Sequence, residues 1–174
     1  VRETALDELI VVIDSREQSP FFKVPPKGVM FIRDTLRYGD YSIKGFEEVF
    51  CIERKNPDDF ITSVTTDGDR FKKRLEEFRG LERAIVMVEE PLASILKKCK
   101  PAGKKTRIVR TKKGRRPVKD FSIRQVHPNS IIGAVESIVG KYGVQLYFAE
   151  GKADAEERTI NIIRKYHRWK RYGL

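Results

Sequence analysis

Residues 38–59 run YGDYSIKGFEEVFCIERKNPDD. Tyr41-Ser42-Ile43 and Glu48 to Lys55 predict the two strands of a hairpin turning through Lys44-Gly45-Phe46. Gly39 permits a tight turn into Asp40. Side chains along a strand alternate with a period of two. Cys51, Glu53 and Lys55 therefore share one face, and Phe50, Ile52 and Arg54 share the other. A carboxylate and an ammonium on an otherwise apolar strand are costly near a core unless something uses them. Asp40 stands just before the hairpin, where a neighbouring strand can bring it beside Glu53. Two carboxylates converging next to a lysine can hold a hard divalent cation, with the lysine orienting or activating a water. That chemistry serves metal-dependent phosphodiester hydrolysis. The competing reading is a surface hairpin on which Glu53 and Lys55 form an i,i+2 ion pair in solvent.

Upstream, Leu9 to Ile13 is a short apolar run that predicts a buried strand, ending in Asp14-Ser15-Arg16-Glu17. Such a polar strand end is either a place for chemistry or an ordinary strand-to-loop transition. Ser19 to Gly28 holds three prolines and predicts a loop, and Val29 to Leu36 a second strand.

Downstream, Asn56-Pro57-Asp58-Asp59 opens a helix to about Val64. Asn56 is a capping residue, Pro57 suits the first helical position, and the acids complement the helix dipole. Dipole complementation alone would account for Asp59. Asp69 to Arg79 predicts an amphipathic helix with Phe71, Leu75 and Phe78 facing the core. Arg70 and Arg74 lie one turn apart on another face, either meeting phosphates or simply solvated.

Ala84 to Val88 predicts a further strand, ending at Glu89-Glu90-Pro91, and Leu92 to Leu96 starts a helix. Asn129 or Ser130 caps the next helix, which carries Ile131, Ile132, Val135, Ile138, Val139 and Tyr142. Val144 to Ala149 predicts a strand, and Asp154 opens the last helix. Tyr166, Trp169 and Tyr172 fit either the core or a subunit contact; His127 and His167 read as structural or exposed. Strands alternating with helices predict an α/β fold, with a central mixed β-sheet flanked by helices on both faces.

The net charge is +11, and the excess has one location. Lys97 to Lys119 holds twelve Lys or Arg and no acid, leaving 24 basic against 25 acidic residues elsewhere. A DNA-contacting loop or flexible hairpin is favoured for this segment, with a solubilising insert as the alternative. The predicted DNA contacts are Arg70, Arg74, Lys104, Lys105, Arg107, Arg110, Lys112, Lys113, Arg115 and Arg116. Cys51 and Cys99 show no zinc spacing and read as free thiols in an intracellular setting. No apolar run approaches a membrane span, and no secretory signal opens the chain. Val1 points to a processed or excised piece.

Jointly, these motifs resemble the nuclease domain of the XPF family of structure-specific endonucleases, within the restriction-endonuclease-like fold. That family's signature is Gly-Asp, a variable gap, then Glu-Arg-Lys with an Asp four positions after the Lys. Here it stands as Gly39-Asp40, Glu53-Arg54-Lys55 and Asp59. Val12 to Glu17 looks like the family's first strand and acidic end. Asp67-Gly68-Asp69-Arg70-Phe71 resembles its Asp-Gly-Arg-Phe start of a helix, with one acid inserted. Ile85 to Glu90, Ser130 to Gly143 and the helix after Glu150 are similar to its later elements.

The resemblance implies that Asp40 and Glu53 hold Mg²⁺ or Mn²⁺, with Asp14 supporting the metal directly or through water. It implies that Lys55 positions water or stabilises charge. Arg54, Arg16, Glu17 and Asp59 would brace the site, with the Arg54 backbone also able to meet the metal. Arg70 would approach the DNA backbone, and the final helices would form a dimer, expected as a homodimer. The expected activity is endonucleolytic cleavage of branched, flap or fork DNA in repair or recombination.

The sequence departs from the family in lacking the usual tandem helix-hairpin-helix domain and in the length and charge of the basic insert. The expected organisation is thus one nuclease domain over residues 1–174 with an insertion at about 97–119. The alternative function is a non-catalytic DNA-binding scaffolding subunit of a nuclease heterodimer. An RNA-binding module is weaker, because no RNA-recognition aromatic motif is visible.

Overall fold

In the computed structural model, which describes residues 9–99, 107–111, 114–118 and 126–173, a run of strands opens the chain and helices and strands interleave after it. The strands are β1 (Leu9–Asp14), β2 (Val29–Asp34), β3 (Tyr41–Ile43), β4 (Phe50–Lys55), β5 (Arg83–Val88), β6 (Arg107–Thr111), β7 (Gly114–Val118) and β8 (Gln145–Phe148). The helices are α1 (Pro57–Val64), α2 (Gly68–Phe78), α3 (Leu92–Lys98), α4 (Pro128–Gly140) and α5 (Lys152–Tyr172).

Six strands form one sheet in the order β2-β1-β3-β4-β5-β8. β3 runs antiparallel to β1 and β4, and the other neighbours pair in parallel. The sheet is therefore mixed. Alternation along each strand feeds two cores. Leu9, Val11 and Ile13 of β1, Phe50 and Ile52 of β4, and Ile85 and Met87 of β5 join Ala155, Ile160, Ile163 and Tyr166 of α5. On the opposite face Cys51, Ala84, Val86 and Val88 join Phe60, Phe71, Leu75, Phe78, Ile95, Ile131 and Ile138 from the other four helices. Helices thus cover both faces, as expected.

Local chemistry fixes the ends of the elements. Asn56 caps α1 by accepting from the Asp59 N–H at 2.9 Å, with Pro57 at the first helical position. α4 begins earlier than expected because Pro128 takes the first helical position. His127 is therefore its cap: Nδ1 accepts from the Asn129 N–H at 3.1 Å, and neither Asn129 nor Ser130 caps. α5 starts at Lys152, ahead of Asp154, whose carboxylate accepts from the Glu150 N–H at 3.1 Å. Tyr166 stacks on Phe50 in the core, with centroids 4.4 Å apart, while Trp169 and Tyr172 are exposed.

The basic segment starts inside α3, which runs on to Lys98. Farther along, β6 and β7 form an antiparallel two-stranded ribbon with Arg110 paired in register to Arg115 and Val109 to Arg116. Of the predicted DNA contacts, Lys104, Lys105, Lys112 and Lys113 lie outside the described residues. Cys51 and Cys99 are buried thiols that form no disulfide among the described residues. No helix among the described residues is long and apolar enough to cross a membrane.

Candidate active site

The site is built where β3 begins and β4 ends. The Asp40 N–H donates to the Ile52 carbonyl at 2.9 Å, and the Asp14 N–H donates to the Asp40 carbonyl at 2.9 Å. These bonds wedge Asp40 between the ends of β1 and β4. Gly39 makes the approach possible. Its φ is +66°, and a Cβ there would lie 2.9 Å from the Ile52 carbonyl oxygen and 3.0 Å from Cys51 Cβ. Only glycine satisfies both the backbone angle and the space.

Asp40 and Glu53 are brought together by this hairpin. Asp40 Oδ2 accepts from the Arg54 N–H at 2.7 Å. Burial, followed by repulsion from Glu53, pushes the Asp40 carboxyl up to about 7. Glu53 is only 3% exposed. Its Oε1 meets Lys55 Nζ at 2.8 Å, and its Oε2 accepts from Arg74 at 2.7 Å. The solvated i,i+2 ion pair is therefore excluded: Lys55 and Glu53 do pair, but Glu53 is buried. Lys55 also lies 5.5 Å from the centre of the Phe71 ring.

Arg74 is a difference from expectation. Instead of facing solvent or reaching outward for DNA, it folds back onto Glu53. α2 explains the turn: Arg74 precedes Leu75, which is buried with Phe71 and Phe78, so it flanks the core stripe. Arg70, one turn earlier, stays outside; its side chain is 83% exposed with Asp67 at 3.9 Å.

Asp14, expected to support a metal directly or through water, is held by its own hydrogen bonds. Its Oδ1 accepts from the Arg16 N–H at 2.7 Å and Arg16 Nε at 2.9 Å. Its Oδ2 accepts from another Arg16 nitrogen at 2.7 Å and from the Leu36 N–H at 3.0 Å. Burial raises this carboxyl, but the Arg16 and Leu36 hydrogen bonds outweigh it and hold the group below the usual carboxylate range. Both oxygens are committed to N–H donors, so Asp14 orders the loop beside Asp40.

Arg54 braces the opposite face. Its guanidinium pairs with Glu89, lies 3.3 Å from Glu17, and stands 5.0 Å over the Phe21 ring. Glu89 was absent from the predicted site residues. The parallel register of β5 on β4, with Val88 opposite Lys55, places it one residue beyond the strand end. Arg33 donates to the Glu17 carbonyl and tethers the same loop. Asp59 is held at its helix start, where it accepts from the Asn56 amide at 2.6 Å; it still lines the cleft.

Two adjoining clefts open at this end of the sheet. One, of about 310 Å³, is lined by Glu53, Lys55, Asp59, Arg70 and Arg74 among others. The second, of about 280 Å³, is lined by Asp14, Arg16, Glu17, Asp40, Arg70 and Arg74 among others. Among the described residues no group of three or more Asp, Glu, His or Cys side chains forms a metal cage. The pair Asp40–Glu53 nonetheless has the donor chemistry a hard divalent cation takes: carboxylate oxygens, drawn together and short of water.

Known proteins share this architecture. Two solved structures, XPF from Aeropyrum pernix and XPF from Aeropyrum pernix in complex with DNA, superpose with TM-scores of 0.59 and 0.60. They are 19% and 20% identical to the chain and cover 91% and 92% of it. The chain spans 65% and 66% of their length. The fold is thus that of the XPF nuclease domain. No curated protein compared with the sequence matches it. The ERCC4 domain matches residues 13–161, a span that contains Asp40, Glu53 and Lys55, and the chain belongs to that family.

Proposed function

We propose that the protein is a metal-dependent DNA endonuclease that hydrolyses phosphodiester bonds at branched, flap or fork structures in repair or recombination. The observation that carries this reading is the convergence of Asp40 and of Glu53, paired with Lys55, where two adjoining clefts meet at the end of the sheet. Family membership supports nuclease activity, since ERCC4-family members are generally nucleases, although some are non-catalytic. The Aeropyrum pernix relative bound to DNA supports a DNA substrate.

Asp40 and Glu53 would hold Mg²⁺ or Mn²⁺. Such an ion supplies charge neutralisation at the phosphoryl oxygens and a water acidic enough to attack. The protein's own groups do the rest. Lys55, fixed by Glu53 and Phe71, orients the attacking water or stabilises developing charge. Arg54 sets the Asp40 carboxylate through its N–H. Arg70, at the cleft mouth, takes a DNA phosphate.

The β6–β7 ribbon is the second DNA contact in this proposal. Arg107, Arg110, Arg115 and Arg116 fall within this short ribbon, a concentration of positive charge in sequence that suits a polyanion. A two-stranded ribbon is also an element that the major groove of a duplex admits.

The test is cleavage of labelled duplex, single-stranded, flap and fork DNA with Mg²⁺, Mn²⁺ or EDTA, beside Asp40→Ala and Glu53→Ala. Metal-dependent cutting, lost in both variants while DNA binding persists, is the expected result. Cutting retained by both variants would overturn the site. Binding without cutting under all conditions would favour the scaffolding-subunit reading.

A further inference from the structure

Glu53 meets a cation at each oxygen, and the two cations are not equivalent. Lys55 comes from the same strand, is largely buried, and is pinned over Phe71. Arg74 arrives from α2 on a long side chain that remains 38% exposed. Arg74 also lines both clefts, the one holding Glu53 and the one holding Asp40. Its side chain is therefore shared by the walls of both clefts, with the guanidinium on Glu53.

Charge makes this position consequential. Asp40 and Glu53, when ionised, are balanced by Lys55 and Arg74. A divalent ion between the carboxylates would leave the site with two positive charges too many, in surroundings that screen charge poorly. Arg74 is the cation that can leave. Rotation about its side-chain bonds needs no movement of α2, and the adjoining clefts give it room. A guanidinium fork matches a phosphate in two parallel hydrogen bonds, so a DNA strand offers it a partner as good as the one it gives up.

We infer that Arg74 is a resident cation that neutralises Glu53 until a divalent ion binds and then transfers to a phosphate of the DNA. This rests on the nuclease reading and adds a positioning residue to it. Arg74 sets the metal affinity of the free protein and couples metal binding to DNA binding. Each ligand favours the state in which Arg74 has left Glu53, so each strengthens the other.

The experiment uses DNA-free protein and Mn²⁺ alone, titrated by calorimetry into wild type, Arg74→Gln, Arg74→Lys and Asp40→Ala. Arg74→Gln is expected to bind Mn²⁺ about tenfold more tightly than wild type, within the usual range of coupling between sites. Arg74→Lys, which keeps the charge, should lie between them. Equal or weaker binding by Arg74→Gln would overturn the inference and leave Arg74 as a brace on Glu53, with the nuclease reading intact. Wild type and Asp40→Ala binding Mn²⁺ alike would remove the metal site itself, and this inference with it.

A second measurement needs no variant to fold. Guanidinium ¹⁵N NMR of wild type should show a slowly rotating, hydrogen-bonded Arg74 that is released on adding Mg²⁺. An Arg74 signal unchanged at saturating Mg²⁺ would overturn the transfer.

Discussion

The backbone N–H of Arg54 donates to Asp40 Oδ2 at 2.7 Å, while the Arg54 guanidinium lies on the opposite face of the sheet against Glu17 and Glu89. One residue thus ties the acid on one face to a buried charge cluster on the other. Substituting its side chain removes only the second tie.

Arg54→Met should leave Glu17 and Glu89 without their cation in a mostly buried place. Breaking a buried ion pair from one side costs about 3–5 kcal/mol, and the expected loss lies at the lower end because some solvent remains. Urea denaturation checks this. Arg54→Met combined with Glu89→Gln should recover part of the loss, since the two residues are coupled. A recovery of nothing would mean that Glu89 is not the group left stranded.

Gly39→Ala should destabilise the fold by about 2–3 kcal/mol, combining strain at a positive φ with collision against backbone. The neighbouring Ile52 carbonyl cannot move without breaking its bond from the Asp40 N–H. Cleavage should fall further than stability does, because the displaced stretch of backbone is the one that positions Asp40. Thermal melting and cleavage rates measured together separate the two effects.

The metal-free protein should lose stability as pH rises. Folding raises the Asp40 carboxyl from its ordinary 3.8 to about 7, so between those values the folded state holds a proton that the unfolded chain has released. Stability therefore falls with pH across that window and levels off above it. Melting temperatures in EDTA across the window should show this fall in wild type and not in Asp40→Asn. Divalent-ion binding should run the other way, strengthening as pH rises toward 7, because the ligand must be deprotonated.

Replacing Arg107, Arg110, Arg115 and Arg116 by serine should weaken DNA binding uniformly across sequences. Every phosphate that no longer meets an arginine reduces the slope of log K against log salt by about 0.9 for duplex DNA. Binding isotherms at several salt concentrations measure it. An unchanged slope would reassign the ribbon to solubility alone.

Much of the site was legible because its parts are local. Asp40, Glu53 and Lys55 belong to one hairpin, and the period of two along Val49–Lys55 predicts their faces without any tertiary knowledge. Gly39 was readable as a turn, though not as the close approach to Ile52 and Cys51 that demands it. What escaped the sequence depends on elements crossing at a distance. Arg74 meets Glu53 only because α2 lies over β4, and an arginine beside a buried stripe reads equally well as solvated. The strand end at Asp14 read as a place for chemistry or as an ordinary strand-to-loop transition, and only the family resemblance implied metal support there. Satisfaction of Asp14 by Arg16 and Leu36 depends on the loop after β2 returning to it. Glu89 was visible as one of two strand-end acids, but its pairing needed the β4–β5 register.

The hairpin has a consequence for how such domains diverge. Asp40 and Glu53 stand at its open end, tied by the Asp40–Ile52 hydrogen bond and the Tyr41–Ile52 pairing. The tip, Lys44 to Val49, lies at the other end, where Phe46 packs edge-on to Tyr166 of α5. Length added at that tip lengthens the arm and leaves the separation of the two acids untouched, so long as an aromatic still meets α5. The gap between Gly-Asp and Glu-Arg-Lys can thus drift through insertions and deletions while the chemistry at its far end stays the same.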